Sequence, residues 1–451
     1  MARPRPVSEH RSGPLAALLG RVVEVRAEEV RALLWSCTYF FCILSAYYIL
    51  RPLRDEMAVA GGVRNIPWLF TGTLVAMLVV NPPFAALVTR LTRKRFVSIT
   101  YRFFMFNLLV FFVLLRVLPE SQSVWVGRAF YVWTAVFNLF IVSVFWAFMA
   151  DIFTTEQGKR LFGFIGVGGT LGGIVGSAIT AGLVQVVGTE VLLLISIVLL
   201  EAGVFAVRRL SVLFESWSSA GSRAVAEKPI GGSVWAGLTH VVRSPYLLGI
   251  VSYMLLFTIA ATFLYFQQAD IIDRTYDDRA LRTALFAKID LIVNVLTIVT
   301  QLFLTGRIIK ALGVAFTLGL LPLLCVAGFA TLGLAPTLAV IITFQVLRRA
   351  ANYAVARPTR EVLYTVVSRE DKYKAKALID TFVYRGGDQI GAWSWSLMGA
   401  LGLSIAGVAF AAVPVSAVWL IVAVWLGRKQ EIMAGPSKEP DGMAPAVVPV
   451  G

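Results

Sequence analysis

The chain has 451 residues, of which 58% are hydrophobic and only 15% are charged, whereas a soluble domain has roughly 25% charged residues. A mean hydropathy of +0.78 over the whole length leaves room for on the order of twelve spans of about 20 residues, which excludes a soluble enzyme and a protein with a single anchor. The net charge is +15, but most basic residues lie in short loops between apolar runs, where the positive-inside rule explains them without nucleic acid.

Twelve candidate spans follow a polar, basic segment that has no signal-peptide pattern. Placing the N-terminus in the cytoplasm puts roughly 29 Lys and Arg residues on the inner side and about 9 outside, so both termini are predicted to be cytoplasmic in a bacterial inner membrane. The predicted spans are 33–51, 66–88, 97–117, 125–151, 161–186, 188–207, 244–268, 284–305, 311–333, 335–356, 375–399 and 402–427.

One long polar stretch separates the first six spans from the last six. Two six-span halves joined by a cytoplasmic linker are typical of major-facilitator secondary transporters, and a weak similarity between spans 4–5 and spans 10–11 supports duplication. The sequence therefore predicts an all-α membrane protein of about twelve transmembrane helices. The predicted divisions are a cytoplasmic N-terminal segment (1–32), two six-helix halves (33–208 and 244–427), a cytoplasmic linker (209–243) and a disordered cytoplasmic tail (428–451).

Charged side chains inside spans are informative because each costs about 2.5–3.5 kcal/mol at the centre of a helix, so they normally face a cavity or a partner. Span 1 ends with Arg51 and Arg54, next to Asp55 and Glu56. These arginines either extend to lipid headgroups beside their acidic neighbours or bind a solute.

The second half carries polar stripes on spans 8, 10 and 11. Arg349 shares a helical face with Tyr353 and Arg357, and Arg385 lies near Asp380 and Asp388 in sequence. Such stripes predict either an ion-pair network for packing or gating, or a binding site. An excess of cations predicts an anionic solute, and the planar guanidinium of Arg suits phosphate.

Several other patterns indicate structure rather than chemistry. The glycines between Gly166 and Gly173 lack the Lys-Ser/Thr of a phosphate loop, and their spacing of four residues predicts close helix packing. The aromatic run of span 4 is interpreted mainly as packing. Cys37, Cys42 and Cys325 are too dispersed for a disulfide framework or a metal site. We therefore expect no enzymatic activity, no metal and no cofactor, with transport driven by exchange or by an ion gradient.

Three segments together resemble a known family. They are FFCILSAYYILRPLRDEM in span 1, FWAFMADIFTTEQGKRLFGFIGVGG in spans 4–5, and Pro-Thr-Arg-Glu followed by KYKAKALIDTFVYRGGDQIGA in spans 10–11. They are similar, in order and spacing, to segments of the plastid and intracellular-bacterial ATP/ADP translocases, although Arg54 stands where members commonly have Lys. The remaining spans match only in hydropathy.

The resemblance implies a twelve-span carrier that exchanges ATP for ADP. It implies nucleotide recognition by Arg51, Arg54, Lys159, Arg160, Arg360, Lys374, Lys376 and Arg385, with acidic partners Asp55, Asp151, Glu361 and Asp380. To these the helical stripes add Arg349 as a substrate-binding candidate and Asp388 as an ion-pair candidate.

The resulting hypothesis is a monomeric carrier in the lipid bilayer that works by alternating access. Arg51 and Arg54 of the first half and Arg349 and Arg385 of the second would bind the phosphates. One alternative is movement of another organic anion or small metabolite, by exchange or coupled to protons with Asp380 or Asp388 titrating. The other is a membrane sensor or scaffold that transports nothing. No nucleic-acid partner is expected.

Overall fold

The structure is a computed structural model that describes residues 25–26, 29–90, 93–218, 244–367, 376 and 378–435. Almost all of these residues are helical, and no strand occurs among them. The predicted linker lies largely outside this described part, as do most of the N-terminal segment and of the tail. The boundaries proposed for those three segments therefore stay predictions.

The described helices divide between two compact units. The first unit comprises the described residues up to 218 together with Ala269–Val295. The second comprises the described residues from 244 to Gln268 and from Leu296 to 435, so α6 and α7 each contribute residues to both units. The helices are α1 Val30–Ala60, α2 Ile66–Arg90, α3 Arg93–Val117, α4 Glu120–Ile152, α5 Thr155–Ser218, α6 Pro245–Thr275, α7 Arg279–Phe303, α8 Thr305–Leu334, α9 Leu338–Ala351, α10 Arg357–Val362, α11 Tyr384–Ala400 and α12 Ile405–Ala434.

These helices account for the twelve predicted spans. Nine helices within the described ranges are long and apolar enough to cross a bilayer. One of them, α5, has 64 residues, which amounts to about 96 Å of helix at 1.5 Å per residue. That length is enough for two crossings of a core about 30 Å thick. It breaks at Gly188, whose φ of 80° is a backbone conformation that favours glycine. Predicted spans 5 and 6 are therefore the two arms of α5.

Predicted spans 10 and 11 contain breaks in helical geometry. A π-helical segment, Asn352–Ala356, joins α9 to α10, and another, Ile379–Val383, precedes α11. A π turn adds a residue to the local repeat and rotates everything that follows around the helix axis. Arg349 is buried while Arg357 is exposed, so the two arginines have different surroundings, and their sharing of one helical face stays a prediction.

Glycines of α5 bring its backbone against α1. A methyl group built on Gly168 would lie 2.7 Å from the carbonyl oxygen of Cys37, and one on Gly172 would overlap the carbonyl oxygen of Phe41. Ser45 donates from its hydroxyl to the Gly172 carbonyl oxygen at 3.1 Å. In lipid, the hydrophobic effect does not drive helices together. Close backbone approach of this kind holds them together instead, through van der Waals contacts and interhelical hydrogen bonds. The prediction of helix-packing glycines is confirmed.

The aromatic run of α4 packs inside the first unit. Phe145 is fully buried and stacks on Phe40 of α1, with ring centroids 4.1 Å apart and an interplanar angle of 9°. Phe137 is also fully buried and stacks on Trp133 at 5.1 Å. These contacts give the run the packing role that the sequence favours.

The second unit repeats the use of small residues at a helix contact. Gly387 and Gly391 of α11 lie against Thr258 and Thr262 of α6, and a methyl group on Gly391 would come within 2.9 Å of the Thr262 Cβ. Elsewhere in this unit, Trp419 of α12 is buried against Tyr253 of α6, with ring centroids 5.5 Å apart.

The glycine contact predicts an unequal response to two alanine substitutions in the same helix. Gly172→Ala should destabilise the protein by about 1–3 kcal/mol because the new methyl group overlaps the α1 backbone. Gly166→Ala is the control: its methyl group meets nothing within 4 Å among the described residues, and alanine favours a helix over glycine. Thermal unfolding of both variants in detergent measures the difference. Equal midpoints would contradict the packing role of Gly172.

Candidate functional site

Arg51 is paired with an acid from a distant span. Its guanidinium lies 3.3 Å from the carboxylate of Asp290 in α7 and 5.8 Å from the ring centroid of Tyr48. The Asp290 side chain is only 4% exposed. Arg51 therefore does not simply extend to lipid headgroups, which was the structural alternative for this residue.

Arg54 contacts its own neighbour in sequence. It donates to Asp55 from Nε at 3.0 Å and from a terminal nitrogen at 2.6 Å, and its guanidinium lies 5.0 Å from the ring centroid of Tyr131 in α4. The expected partnership between Arg54 and Asp55 is therefore present as a local ion pair.

Glu56 is the centre of an ion cluster that the sequence did not reveal. Its carboxylate, 1% exposed, accepts hydrogen bonds from Arg279 at 3.0 and 3.2 Å and from Arg282 at 3.3 Å. Arg282 also donates to Asp273 at 2.8 Å. The partners of Glu56 lie more than 220 residues away in sequence, and helical spacing carries no information on such pairs. Glu56, Arg279, Arg282 and Asp273 thus pair with one another where α1 meets the ends of α6 and α7.

A second buried acid, Glu29, precedes α1. It accepts hydrogen bonds from two terminal nitrogens of Arg160, at 3.0 and 3.3 Å, and from the side-chain amide of Gln157 at 2.9 Å. Gln157 and Thr154 cap α5 reciprocally, as in a capping box. Arg160, a predicted substrate ligand, is held at this junction of α1 and α5.

The ionised form of Glu29 is favoured in the native protein. Burial alone raises the pKa of this carboxyl group, but hydrogen bonds from the Arg26 amide, Arg160 and Gln157, together with the Arg160 charge, outweigh that effect. The net pKa lies below the usual value for glutamate.

The second unit contains a buried cation that has only a neutral hydrogen-bond partner. Arg348 of α9 is 7% exposed and donates from two nitrogens to the side-chain oxygen of Gln345, at 3.2 and 3.0 Å. Gln345 in turn donates to Gln268 of α6 at 2.5 Å. Within the described part of this unit, no carboxylate forms an ion pair with Arg348. Helical spacing indicated its neighbour Arg349 and did not single out Arg348, although Gln345 one turn earlier was an available signal.

Tyr384 connects this cation to α11. The phenol interacts electrostatically with Arg348, Tyr353, Arg385 and Asp388. Arg385 lies 3.4 Å from Asp388, and the hydroxyl of Thr262 in α6 also lies 3.4 Å from that carboxylate. Of the two acids considered for Arg385, the structure shows the pair with Asp388. Arg348 reaches α6 through Gln345 and Gln268, and Arg385 reaches it through Asp388 and Thr262. We name Arg348 and Arg385, with Gln268, Gln345, Tyr384 and Asp388, the second-unit cluster. The predicted ligand Arg349 is buried next to Arg348 in sequence.

The remaining candidates are more dispersed. Lys376 pairs with Glu361 at 2.5 Å, and Arg360 contacts the sulfur of Met254 at 3.0 Å. Asp151 lies in the last turn of α4. Lys374 lies outside the described residues, as do the side chains of Lys159 and Asp380. No group of three or more His, Cys, Asp or Glu side chains with metal-binding geometry occurs in the described ranges.

Comparison with known proteins identifies the family. The model of the TLC ATP/ADP transporter family matches residues 115–433. The chain belongs to this family. The match begins in the last turns of α3 and runs to the end of α12, and therefore includes the whole second-unit cluster. The resemblance inferred from the three sequence segments is confirmed.

Two curated relatives of this TLC family member are ADP,ATP carrier proteins 1 from Chlamydia. The protein of Chlamydia trachomatis is 22% identical and the alignment covers 92% of each chain. The protein of Chlamydia muridarum is also 22% identical, over 92% of this chain and 90% of the relative.

Solved structures establish the fold class. A bacterial homologue of the iron transporter ferroportin is similar with a TM-score of 0.60 at 13% identity, covering 89% of this chain and 98% of that one. An auto-inhibited POT family peptide transporter has a TM-score of 0.57 at 14% identity, with 92% and 99% covered. The TLC family member is thus a multi-span membrane transporter with the predicted all-α, major-facilitator-like fold.

The Glu56 cluster predicts a large loss of stability on neutralisation of its centre. Glu56→Gln should destabilise the protein by about 3 kcal/mol because it leaves the buried Arg282 without one of its two acids. The control is Glu201→Gln, which breaks a pair with Arg102 that is about half exposed on both sides and should cost under about 1 kcal/mol. The comparison is made by thermal unfolding in detergent, and a similar small loss for both variants would count against the cluster.

The lowered pKa of Glu29 predicts a pH-dependent stability difference. The contribution of the ionised carboxylate is present above the unfolded-state pKa of about 4.3 and is lost as pH falls through the lower native pKa. Glu29→Gln should therefore have a lower melting temperature than the parent protein at pH 7, and the gap should close on acidification below about pH 4. A gap that stays constant from pH 7 to pH 3 would be inconsistent with this assignment.

Proposed function

We propose that this protein exchanges ATP and ADP across a membrane by alternating access. The observation that carries the proposal is the second-unit cluster, which lies inside the segment matched by a family of ATP/ADP transporters. The two chlamydial relatives, both named ADP,ATP carriers, cover nearly the whole chain and support the same substrate class.

The electrostatics of Arg348 favour an anionic substrate. A guanidinium removed from water needs a counter-charge, and Arg348 has only the neutral Gln345 as its hydrogen-bond partner in the described residues. Arg385 adds a second cation, which lies 3.4 Å from the carboxylate of Asp388. A nucleotide phosphate would supply the missing negative charge through the paired donors that guanidinium presents.

The same imbalance favours exchange over one-way movement. An empty carrier must change conformation with Arg348 uncompensated, whereas a carrier loaded with nucleotide would do so with that charge neutralised. A ligand shifts a conformational equilibrium only through different interaction energies in the two states. We infer that bound nucleotide lowers the free energy of the intermediate state and that return of the carrier therefore requires a counter-substrate.

The location follows from charge distribution and family. We place the protein in a bacterial inner membrane with both termini in the cytoplasm, because basic residues accumulate in the loops that this orientation puts inside. We propose that it acts as a monomer, without a cofactor, and that it carries out no chemical reaction on its substrate. Arg51, Arg54, Lys159, Arg160, Arg360, Lys374 and Lys376 remain proposed contributors to nucleotide recognition, with Asp55, Asp151, Glu361 and Asp380 as their acidic partners.

Counterflow in proteoliposomes tests this function. Vesicles with unlabelled ATP inside should accumulate labelled ADP, and vesicles without internal nucleotide should not. Uptake that does not depend on internal nucleotide would contradict exchange. Uptake of another organic anion driven by a pH gradient, without competition by nucleotides, would establish the alternative substrate class.

Two variants test the cluster within the same assay. Arg348→Ala and Arg385→Ala should each reduce counterflow at least about tenfold, because each removes a charge-assisted contact to phosphate. Arg274→Ala is the control, since this side chain is 67% exposed in a local pair with Asp270. All three proteins should keep the elution volume and helical spectrum of the parent. Normal counterflow by either cluster variant would remove that residue from the substrate path.

A further inference from the structure

A large apolar groove lies in the first unit, between α2, α3 and α4. Its volume is about 1170 Å³, at or above the roughly 300–1,000 Å³ of typical ligand pockets. α2 packs mainly on α4 and meets α3 at few positions, so a groove runs between α2 and α3. Its walls include Trp68, Phe103, Phe104, Trp125, Val132 and Trp133.

The groove is apolar along most of its length and cationic at one end. Trp68, Phe103 and Trp125 are each more than half exposed, as expected for side chains that face lipid. Inside the groove, the indole nitrogen of Trp133 donates to Asn107 at 3.1 Å, so this polar pair satisfies itself. Arg128 lines the groove near the turn that joins α1 to α2.

The guanidinium of Arg128 has further N–H donors with which it can bind an anion. Its guanidinium lies 4.4 Å from the ring centroid of Trp125 and donates one hydrogen bond, to the Gly61 carbonyl oxygen at 3.2 Å. A guanidinium has five N–H donors, and no carboxylate in the described ranges pairs with this one. Arg64, in the short 3-10 helix of the same turn, is exposed and adds a second positive charge.

We propose that this groove binds one anionic phospholipid, with an acyl chain between α2 and α3 and the headgroup phosphate on Arg128. The apolar walls match a hydrocarbon chain, and the cationic end matches phosphate, so a single amphiphilic molecule accounts for both. Tryptophans such as Trp68 and Trp125 are enriched at the level of lipid headgroups, which places Arg128 at the depth of a lipid phosphate. The site is separate from the second-unit cluster and does not rest on the proposed nucleotide exchange.

The bound lipid would complete the packing of α2. Because α2 has few contacts with α3, an ordered lipid between them would add dispersion contacts to both helices. The headgroup would also join α4, through Arg128, to the turn before α2. We therefore expect anionic lipid to raise the thermal stability of the protein more than zwitterionic lipid of the same chain length.

Native mass spectrometry of the full chain in detergent tests the proposal, with dioleoyl phosphatidylglycerol and dioleoyl phosphatidylcholine as probes. Wild type should retain one phosphatidylglycerol in preference to phosphatidylcholine. Arg128→Gln should weaken phosphatidylglycerol binding about five- to tenfold and abolish the preference. Arg116→Gln is the matched control, because this exposed arginine ends α3 on the same side and lies outside the groove. It should bind as wild type does.

A second variant tests the apolar part of the site. Ala129→Trp keeps Arg128 and fills the groove beside it, and should reduce retention of both lipids. If Arg128→Gln fails to fold, as judged by elution volume and helical spectrum, lipid retention by Ala129→Trp still tests the proposal. Unchanged phosphatidylglycerol binding by folded Arg128→Gln or folded Ala129→Trp would overturn the proposal. Full displacement of the lipid by an equal concentration of glycerol 3-phosphate would also overturn it, because the groove would then be an anion site without a need for the chain.

Discussion

Close approach of helix backbones is the constraint on which the rest of the structure depends. Lipid gives helices no hydrophobic reason to associate, so they are held by dispersion contacts and by hydrogen bonds made possible at short range. Gly168, Gly172 and Gly176 bring α5 to the backbone of α1, and Gly387 and Gly391 bring α11 to α6 in the second unit. These contacts fix where the charged ends and stripes of the same helices lie. Arg51 can reach Asp290, and Asp388 can reach Thr262, because the helices that carry them are positioned by small residues.

The buried charges of α1 and the buried Arg348 of α9 have different surroundings. Arg51, Arg54 and Glu56 of α1 all have partners of opposite charge among the described residues, and Glu29 has Arg160. Such pairs join helices and resist separation because breaking one leaves an uncompensated charge. Arg348, in contrast, is buried against neutral amides. A paired charge is explained by structure alone, whereas an uncompensated one calls for a ligand. This difference is the reason for proposing substrate recognition at α9 and α11.

Hydropathy and charge asymmetry were sufficient to predict the twelve spans, because bilayer thickness dictates their length. The glycine stripe was predictable because its spacing of four residues is a property of one helix. Ion pairs between α1 and α7 were not, since Glu56 and Arg279 are separated by 223 positions and one sequence contains no information about which distant charges meet. Family resemblance indicated Arg385, which lies in a polar cluster in the structure, whereas helical spacing indicated Arg349 and did not single out the adjacent Arg348.

The π-helical segments interrupt the regular helical repeat of spans 10 and 11. Each one departs from the regular α-helical hydrogen-bond pattern and persists only when surrounding contacts compensate, which is why such segments concentrate at functional positions. Asn352–Ala356 directly follows the helix that carries Arg348, and Ile379–Val383 directly precedes Arg385. The arginines of the second-unit cluster thus lie next to the two π-helical segments of these spans. In a protein whose sequence is otherwise consistent with its fold, local departures of this kind are expected at functional or strained positions, which is why the variants proposed for the exchange assay lie beside them.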